Sequence, residues 1–214
     1  MEISKMKHYL FTTYYEASNP ERAEEYDYCI EKNKVASFDE IFLLVEEKDM
    51  VAAAKFGVNV VPLLNRPTFK DFFDFMGKGM FADSINIVAN TDIFFMNMQE
   101  IDANAYRLTD GCFALTRYDF KKYCPTELFD RVDSQDTWVF LGNKLMPNIK
   151  NVDFCMGIGG CDNRLAHELK EAGYDVLNPS RSVKTFHLHN TNIRTFNQND
   201  PRVPPPYLLL PPTF

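Results

Sequence analysis

Apolar and polar residues follow one another along this chain in blocks that are typical of an α/β fold. Short apolar runs predict strands at 8–15, 40–45, 59–64, 84–89, 112–117, 138–141, 174–178 and 183–189. Helices are predicted from Pro20 onward and over 49–56, 68–76 and 162–173. This alternation predicts a single Rossmann-like domain, in which helices flank a central, mixed but mostly parallel sheet.

Local signals support several of these boundaries. Asn19 is a suitable N-cap with Pro20 at the first helical position, and Thr68 and Asp71 have capping-box spacing. Pro62 predicts either an edge position or an irregularity for its strand. Four apolar residues of the third helix recur with helical spacing and are expected to pack on the sheet: Phe69, Phe72, Phe73 and Met76.

The C-terminal residues differ in composition from the rest. Residues 200–214 contain half of the 12 prolines, and such a segment continues neither a sheet nor a helix. We expect a domain over 1–199 and a proline-rich tail or linker over 200–214, with further domains beyond it.

Composition narrows the class of protein. A net charge of −7 argues against general nucleic-acid binding, and no apolar run reaches the 18 residues of a membrane span. The N-terminus lacks a signal-peptide core. Five cysteines without a CxxC pair favour reduced thiols and a cytoplasmic location.

The segment Asn90-Thr91-Asp92 directly follows the predicted strand at 84–89, and apolar residues resume after it. A carboxylate among apolar neighbours is costly unless a cation, a charged partner or hydrogen bonds hold it there. Ligands of α/β sheets bind at the carboxyl ends of the strands. We therefore interpret Asp92 as a metal ligand, although an ordinary turn or cap is the commoner role of such a residue.

A second motif contains His187 and His189. Residues two apart in a strand share a face, so these imidazoles, alone or with Asp92, are able to form a site for Mn²⁺, Zn²⁺ or Fe²⁺. Two hydrogen-bonded histidines on a half-buried strand fit the pattern equally well. Arg194 has the donors needed to grip a phosphate.

Two further segments offer carboxylates. Asp133, Gln135 and Asp136 suit recognition of sugar hydroxyls or general-base work, although a solvated acidic loop has the same pattern. Asp162 follows a glycine-rich stretch at a predicted helix start, where it is expected to cap the helix and to meet a substrate.

Together these motifs resemble the nucleotide-diphosphate-sugar glycosyltransferases of the GT-A fold over roughly residues 7–196. The resemblance extends to small GT-A domains of bacteria and large DNA viruses, such as the N-terminal domain of a multidomain chlorella-virus protein. It rests on four segments in the family's order: Thr12-Thr-Tyr-Tyr15, Asn90-Thr-Asp92, Asp133-Ser-Gln-Asp136 and His187-Leu-His189.

The resemblance implies roles for individual residues. A UDP-sugar donor would contact Thr12, Thr13, Tyr14, Arg66, Lys70, Asn90, Thr91 and Arg194. Mn²⁺ or Mg²⁺ would be held by Asp92 with His187 or His189. The donor sugar or a glycan or other hydroxyl acceptor would face Asp133, Gln135, Asp136 and Asp162. The segment at 133–136 resembles retaining members, and Asn90 stands where the family usually has a first carboxylate.

Two other classes of protein fit the same motifs. Asn90 is compatible with a module that binds nucleotide sugars or carbohydrates without turnover, and a donor-hydrolysis assay separates this module from an enzyme. A metal-dependent nucleotidyltransferase or hydrolase would release different products from a nucleotide sugar.

Overall fold

The computed structural model describes residues 6–121, 124–144, 149–188, 190–191 and 201–214. Its strands are β1 (Lys7–Thr13), β2 (Glu40–Glu46), β3 (Asn59–Leu63), β4 (Ser84–Ala89), β5 (Ile93–Phe94), β6 (Gly111–Leu115), β7 (Tyr118–Phe120), β8 (Glu127–Leu128), β9 (Thr137–Leu141), β10 (Asp175–Leu177) and β11 (Phe186–Leu188). Its α-helices are α1 (Pro20–Lys34), α2 (Met50–Ala54), α3 (Phe69–Met76), α4 (Gln99–Asn104) and α5 (Cys161–Glu171).

Seven strands form the central sheet in the order β10-β6-β9-β4-β1-β2-β3. The pairs β1–β2, β2–β3, β1–β4 and β6–β10 are parallel, whereas β9 runs antiparallel between β4 and β6. Apolar clusters cover the sheet, and each cluster includes residues from flanking helices. This confirms the predicted single α/β domain with a mostly parallel mixed sheet.

The predicted helix starts are also observed. The Asn19 side chain accepts a hydrogen bond from the Arg22 amide, and Thr68 forms a reciprocal capping box with Asp71. Pro62 lies in β3 at the sheet edge, where its missing N–H costs nothing. The four apolar residues of α3 are buried, as expected: Phe69, Phe72, Phe73 and Met76.

The last predicted strand belongs to a second, smaller sheet. β11 pairs with β5 and β7 in a small sheet of order β5-β11-β7-β8, and it does not join the central sheet. The chain turns at residues 90–92 directly after β4, so that β5 leaves the central sheet and becomes the partner of β11. The pattern at 183–189 predicted a strand but did not show this second sheet, whose pairing brings His187 opposite Ile93.

Asp162 does not cap α5, contrary to expectation. The N-cap is Gly160, which has a left-handed backbone (φ 84°), and Asp162 is the second helical residue. A side chain at 160 would also clash, since its Cβ would lie 2.7 Å from the Tyr207 hydroxyl. The glycine thus sets the helix start and leaves the Asp162 side chain available for other contacts.

The proline-rich residues 201–214 lie against the domain. The Val203, Leu208 and Leu210 amides donate to the carbonyls of Gly159, Asn163 and Val132 at 2.9–3.0 Å. Val203 and Leu210 are buried in the core on one face of the sheet. This segment therefore braces the start of α5 and the loop before β9, and its role as a linker to further domains stays a prediction.

Two expectations from composition concern the described residues. All five cysteines have free thiols. Within the same part of the chain, no helix has the length and apolar character that crossing a membrane requires.

The contact between β9 and the turn before β4 yields a test of the fold. A Cβ on Gly142 would lie 1.8 Å from the Phe81 carbonyl oxygen, so the main chain must move to admit it. We expect Gly142→Ala to lower the free energy of unfolding by about 1–3 kcal/mol in urea titrations. Gly79→Ala, where a Cβ meets open space, is the matched control and should change it by less than about 1 kcal/mol. Equal stability of the two variants would contradict this packing.

Candidate functional site

A cavity of about 370 Å³ opens at the carboxyl ends of β1 and β4. Thr13 ends β1, residues 90–92 follow β4, and His187 of β11 closes one side. The glycine-rich stretch before α5 forms the opposite wall. The charged side chains that line the cavity are Arg22, Arg66, Asp92, Arg117, Arg131, Asp133, Asp136, Asp162, His187 and Arg202.

Asp92 lies at the centre of a buried charge network. Its Oδ2 accepts from Nη2 of Arg22 and lies 3.2 Å from Nε2 of His187. The other ring nitrogen of His187 is 3.3 Å from Oδ1 of Asp119. Burial would raise the pKa of the Asp92 carboxyl, but His187 and Arg22 hold this pKa well below its usual range. Asp92 is therefore a carboxylate at neutral pH.

The pKa of His187 moves in the opposite direction. Burial favours the neutral imidazole, but Asp92 and a hydrogen bond to Asp119 outweigh it and raise the pKa of His187 to about 9. In this arrangement the histidine is an imidazolium, and both of its ring nitrogens face carboxylates.

The network continues to the loop before β9. Arg117 contacts Oδ1 of Asp119 at 3.1 Å through Nε and Oδ2 of Asp136 at 2.7 Å through Nη1. The Asn90 amide donates to the other oxygen of Asp136 at 2.8 Å. Asn90 therefore fixes a carboxylate of the opposite loop by donating a hydrogen bond, which an aspartate at position 90 would be unable to do.

Helix α1 positions the other end of the network. Arg22 lies in its first turn, where Nη1 contacts Oε2 of Glu25 at 2.5 Å and Nε donates to the Tyr26 hydroxyl at 3.1 Å. The second oxygen of Glu25 accepts from the amides of Asn190 and Thr191 at 2.6 and 2.9 Å. One buried glutamate thus ties α1 to the chain that follows β11.

Only some of the residues that were expected to contact the donor line the cavity. Thr13, Arg66, Asn90 and Thr91 line the cavity. Thr12 and Tyr14 do not, because strand alternation directs them away from Thr13 and buries both. Tyr14 packs on Phe56, whereas Tyr15, which the sequence analysis did not select, lines the cavity.

Two other predicted site residues, Lys70 and Gln135, do not line the cavity. Lys70 is on the exposed side of α3 and pairs with Asp74, so it does not reach the cavity. Gln135 is buried and its amide donates to the carbonyls of Val132 and Leu210. His189 and Arg194 lie outside the described residues.

The predicted catalytic carboxylates meet at the cavity but differ in their partners. Asp133 pairs with the exposed Arg131, and Asp136 pairs with Arg117. Asp162 has no ion pair within the described part of the chain, and its Oδ1 accepts from the Cys161 thiol at 3.0 Å. Burial and the nearby Asp136 carboxylate raise the pKa of Asp162 to about 7. Asp162 therefore changes its charge near neutral pH.

Sequence reasoning missed several cavity residues, among which Arg22 and Arg117 matter most. Arg22 has Glu25 three residues and Tyr26 four residues later, a spacing that places all three on one side of a helix. That spacing could have indicated a buried ion pair, because an arginine on the buried face of a helix requires an acidic partner. Arg117 and Asp119 follow β6 without any comparable pattern.

The residues around Asp92 offer one ligand position for the expected divalent cation. Oδ1 of Asp92 is buried and has no hydrogen-bond partner among the described residues, which fits one ligand position. His187, as an imidazolium between two carboxylates, does not offer a lone pair in this arrangement. The described residues contain no group of three or more metal-ligating side chains. Mg²⁺ and Mn²⁺ are often held by one carboxylate together with substrate phosphates, so Asp92 alone is compatible with such an ion.

The buried network yields a test of stability. Arg22→Met would leave Glu25 and Asp92 without their arginine partner in the interior, and we expect a loss of about 3 kcal/mol or more in the free energy of unfolding. Arg131→Met removes the exposed pair with Asp133 and should cost less than about 1 kcal/mol. Urea titrations of both variants measure the difference. Similar losses of unfolding free energy in the two variants would contradict the buried position of the Arg22 ion pairs.

No protein-family model and no curated protein matches the sequence. Among solved structures, S. aureus TarS, a GT-A-like glycosyltransferase, superposes with a TM-score of 0.52 at 9% identity. The match covers 86% of this chain and 37% of the TarS chain, so this chain spans well under half of TarS.

A second solved structure is the 4-diphosphocytidyl-2C-methyl-D-erythritol synthase of Anaerococcus prevotii. It superposes with a TM-score of 0.46 at 12% identity and covers 90% of this chain and 92% of its own. At 9% identity the likeness to TarS concerns the fold alone: the chain has a single Rossmann-like, GT-A-like domain.

Proposed function

We propose that this protein is a glycosyltransferase that moves a sugar from a nucleotide-diphosphate donor, preferably a UDP-sugar, to a hydroxyl acceptor such as a glycan. The observation that carries the proposal is a cationic cavity at the strand ends of a GT-A-like fold, in which Asp162 has no ion pair with a described residue. The resemblance to viral GT-A domains stays a prediction.

The charges of the cavity suit a diphosphate. Five arginines and the protonated His187 line it, against four aspartates, although the whole chain has a net charge of −7. In an acidic protein, a locally positive cavity attracts an anionic ligand more strongly than the rest of the surface does. The position beyond β1 and β4 is where ligands of open α/β sheets bind.

Catalysis would rest on charge stabilisation at the leaving group. As the bond to the anomeric carbon breaks, negative charge develops on the diphosphate, and fixed guanidinium groups stabilise it without reorganisation. Arg22 and Arg117 are held by buried carboxylates and cannot swing away. A divalent cation held by Asp92 would supply additional Lewis-acid stabilisation of the same charge.

Asp162 is the group best suited to activate the acceptor. A general base works best when its pKa lies near the working pH, and Asp162 meets this condition at about 7. The acceptor hydroxyl would give its proton to Asp162 and attack the anomeric carbon, while the diphosphate leaves with the electrons of the broken bond. Such a direct displacement inverts the anomeric centre. We therefore propose inversion in place of the retention that the 133–136 segment implied, because Gln135 does not line the cavity.

One alternative function has an observation in its favour. A module that binds nucleotide sugars without turnover is compatible with Asn90, since the family's first carboxylate is replaced by an amide that holds Asp136. Release of free nucleotide diphosphate from a bound donor separates the enzyme from the module.

Donor binding is tested by thermal denaturation with UDP-, GDP- and dTDP-sugars, each with and without Mn²⁺. A native-state ligand at one hundred times its dissociation constant adds about 2.7 kcal/mol to stability, so the melting temperature should rise by several degrees with the UDP-sugar. The rise should be larger with Mn²⁺, and Asp92→Asn should remove the contribution of the metal. Unchanged melting temperatures across the panel would reject the proposed function.

The role of Asp162 is tested by Asp162→Asn. We expect transfer to fall by at least about a hundredfold, with donor binding retained, because a general base contributes about that factor. In the wild type the transfer rate should rise with pH through about 7 as Asp162 loses its proton. Because the folded pKa is raised, the charged form costs stability at pH 8, and Asp162→Asn should melt no lower than the wild type there.

Asp175→Asn, on an exposed residue outside the cavity, is the matched control and should keep full activity. A wild-type rate that is flat between pH 6 and 8, together with an active Asp162→Asn variant, would exclude Asp162 as the base.

A further inference from the structure

Two of the five arginines that line the cavity differ from the other three in their lack of a described carboxylate partner. Arg22, Arg117 and Arg131 each pair with an aspartate. Arg66 and Arg202 form no ion pair with any described residue. Both are exposed and both line the cavity. Their charges are therefore available to a ligand.

Both guanidinium groups are held at the same wall of the cavity. Nη2 of Arg66 donates to the Met156 carbonyl at 2.5 Å and lies 3.5 Å from where a Cβ on Gly157 would be. Nη1 of Arg202 lies 3.2 Å from the corresponding position on Gly159. A Cβ at 159 would crowd Arg202, whereas one at 157 would make an ordinary contact with Arg66. The two arginines, 136 residues apart in sequence, thus meet at the glycine-rich stretch.

The backbone around Arg202 is fixed by its neighbours. The amide of Val203 donates to the Gly159 carbonyl at 3.0 Å. Nη1 of Arg164 donates to the carbonyls of Pro204 and Pro205 at 3.0 and 3.2 Å. A guanidinium whose backbone is held in this way loses less conformational entropy when it binds an anion.

This wall also carries Asp162, the proposed base, three residues after Gly159. An acceptor hydroxyl must lie within hydrogen-bond reach of its base, so the acceptor occupies the side of the cavity where the two arginines stand. The arginines of the buried network line the cavity near Asp92, where the donor diphosphate is expected.

We infer that Arg66 and Arg202 form an oxyanion subsite for the acceptor, which therefore carries a phosphate or carboxylate group near the hydroxyl that receives the sugar. This inference rests on the proposed function. The guanidinium fork matches both kinds of group, and a charge-assisted pair of such contacts discriminates strongly against a neutral polyol.

Three small probes of matched shape test the subsite: glycerol 3-phosphate, glycerate and glycerol. Calorimetric titration into the full chain, with and without UDP, should show at least about tenfold tighter binding of an acidic probe than of glycerol. The acidic probe that binds more tightly shows whether the acceptor carries a phosphate or a carboxylate. Equal binding of all three probes would overturn the inference.

Arg66→Gln and Arg202→Gln should each weaken the preferred acidic probe about tenfold and leave the affinity for the UDP-sugar within about twofold. Arg181→Gln removes the same charge outside the cavity, where Arg181 pairs with Asp130, and should change neither affinity. Equal weakening of the acidic probe and the UDP-sugar would assign the arginines to the donor diphosphate and overturn the inference.

The proposed function can fail independently of this subsite. If no nucleotide sugar binds but the acidic probe still depends on both arginines, the glycosyltransferase proposal and the acceptor assignment both fall, and an oxyanion site remains. If UDP-sugars bind and the acidic probes do not, only the inference about the acceptor is overturned.

Discussion

The site depends on the ion pairs that the buried Asp92 carboxylate forms with Arg22 and His187. A buried charge at the end of a central strand is stable only with close cationic partners, and Arg22 and His187 supply them from α1 and β11. The first turn of α1 carries Arg22, and the pairing of β11 with β5 brings His187 beside Asp92. Satisfying one charge therefore brings together three segments that are 70 and 95 residues apart in sequence.

The cavity contains two kinds of arginine, those with a described carboxylate partner and those without one. Paired arginines form a rigid, electrostatically preorganised wall, whereas Arg66 and Arg202 remain available for a ligand. Asp162 occupies a third environment, in which no described arginine pairs with it and a neighbouring carboxylate opposes its ionisation. The four aspartates of the cavity thus differ in their chemistry because they have different charged neighbours, although the residue type is the same.

Local sequence signals predicted the fold well and the site only in part. The capping residues Asn19 and Thr68 and the apolar runs of the strands act over a few residues, and they gave correct elements. Strand alternation correctly implied that consecutive residues face opposite ways, but the sequence did not show that Thr13 and Tyr15, instead of Thr12 and Tyr14, face the cavity. Arg117 and Arg202 were missed because their roles arise from contacts between distant segments, which no local pattern encodes.

The bracing of α5 by residues 201–214 has a consequence for the order in which the site is assembled. The segment that carries Asp162 is held by backbone hydrogen bonds to Val203 and Leu208, about 40 residues later in the chain. Residues 201–214 follow every described strand of both sheets, so they are synthesised after the segments that form the sheets and the buried charge network. The wall of the cavity that carries Asp162 and Arg202 is therefore the last part of the described site for which the chain supplies residues.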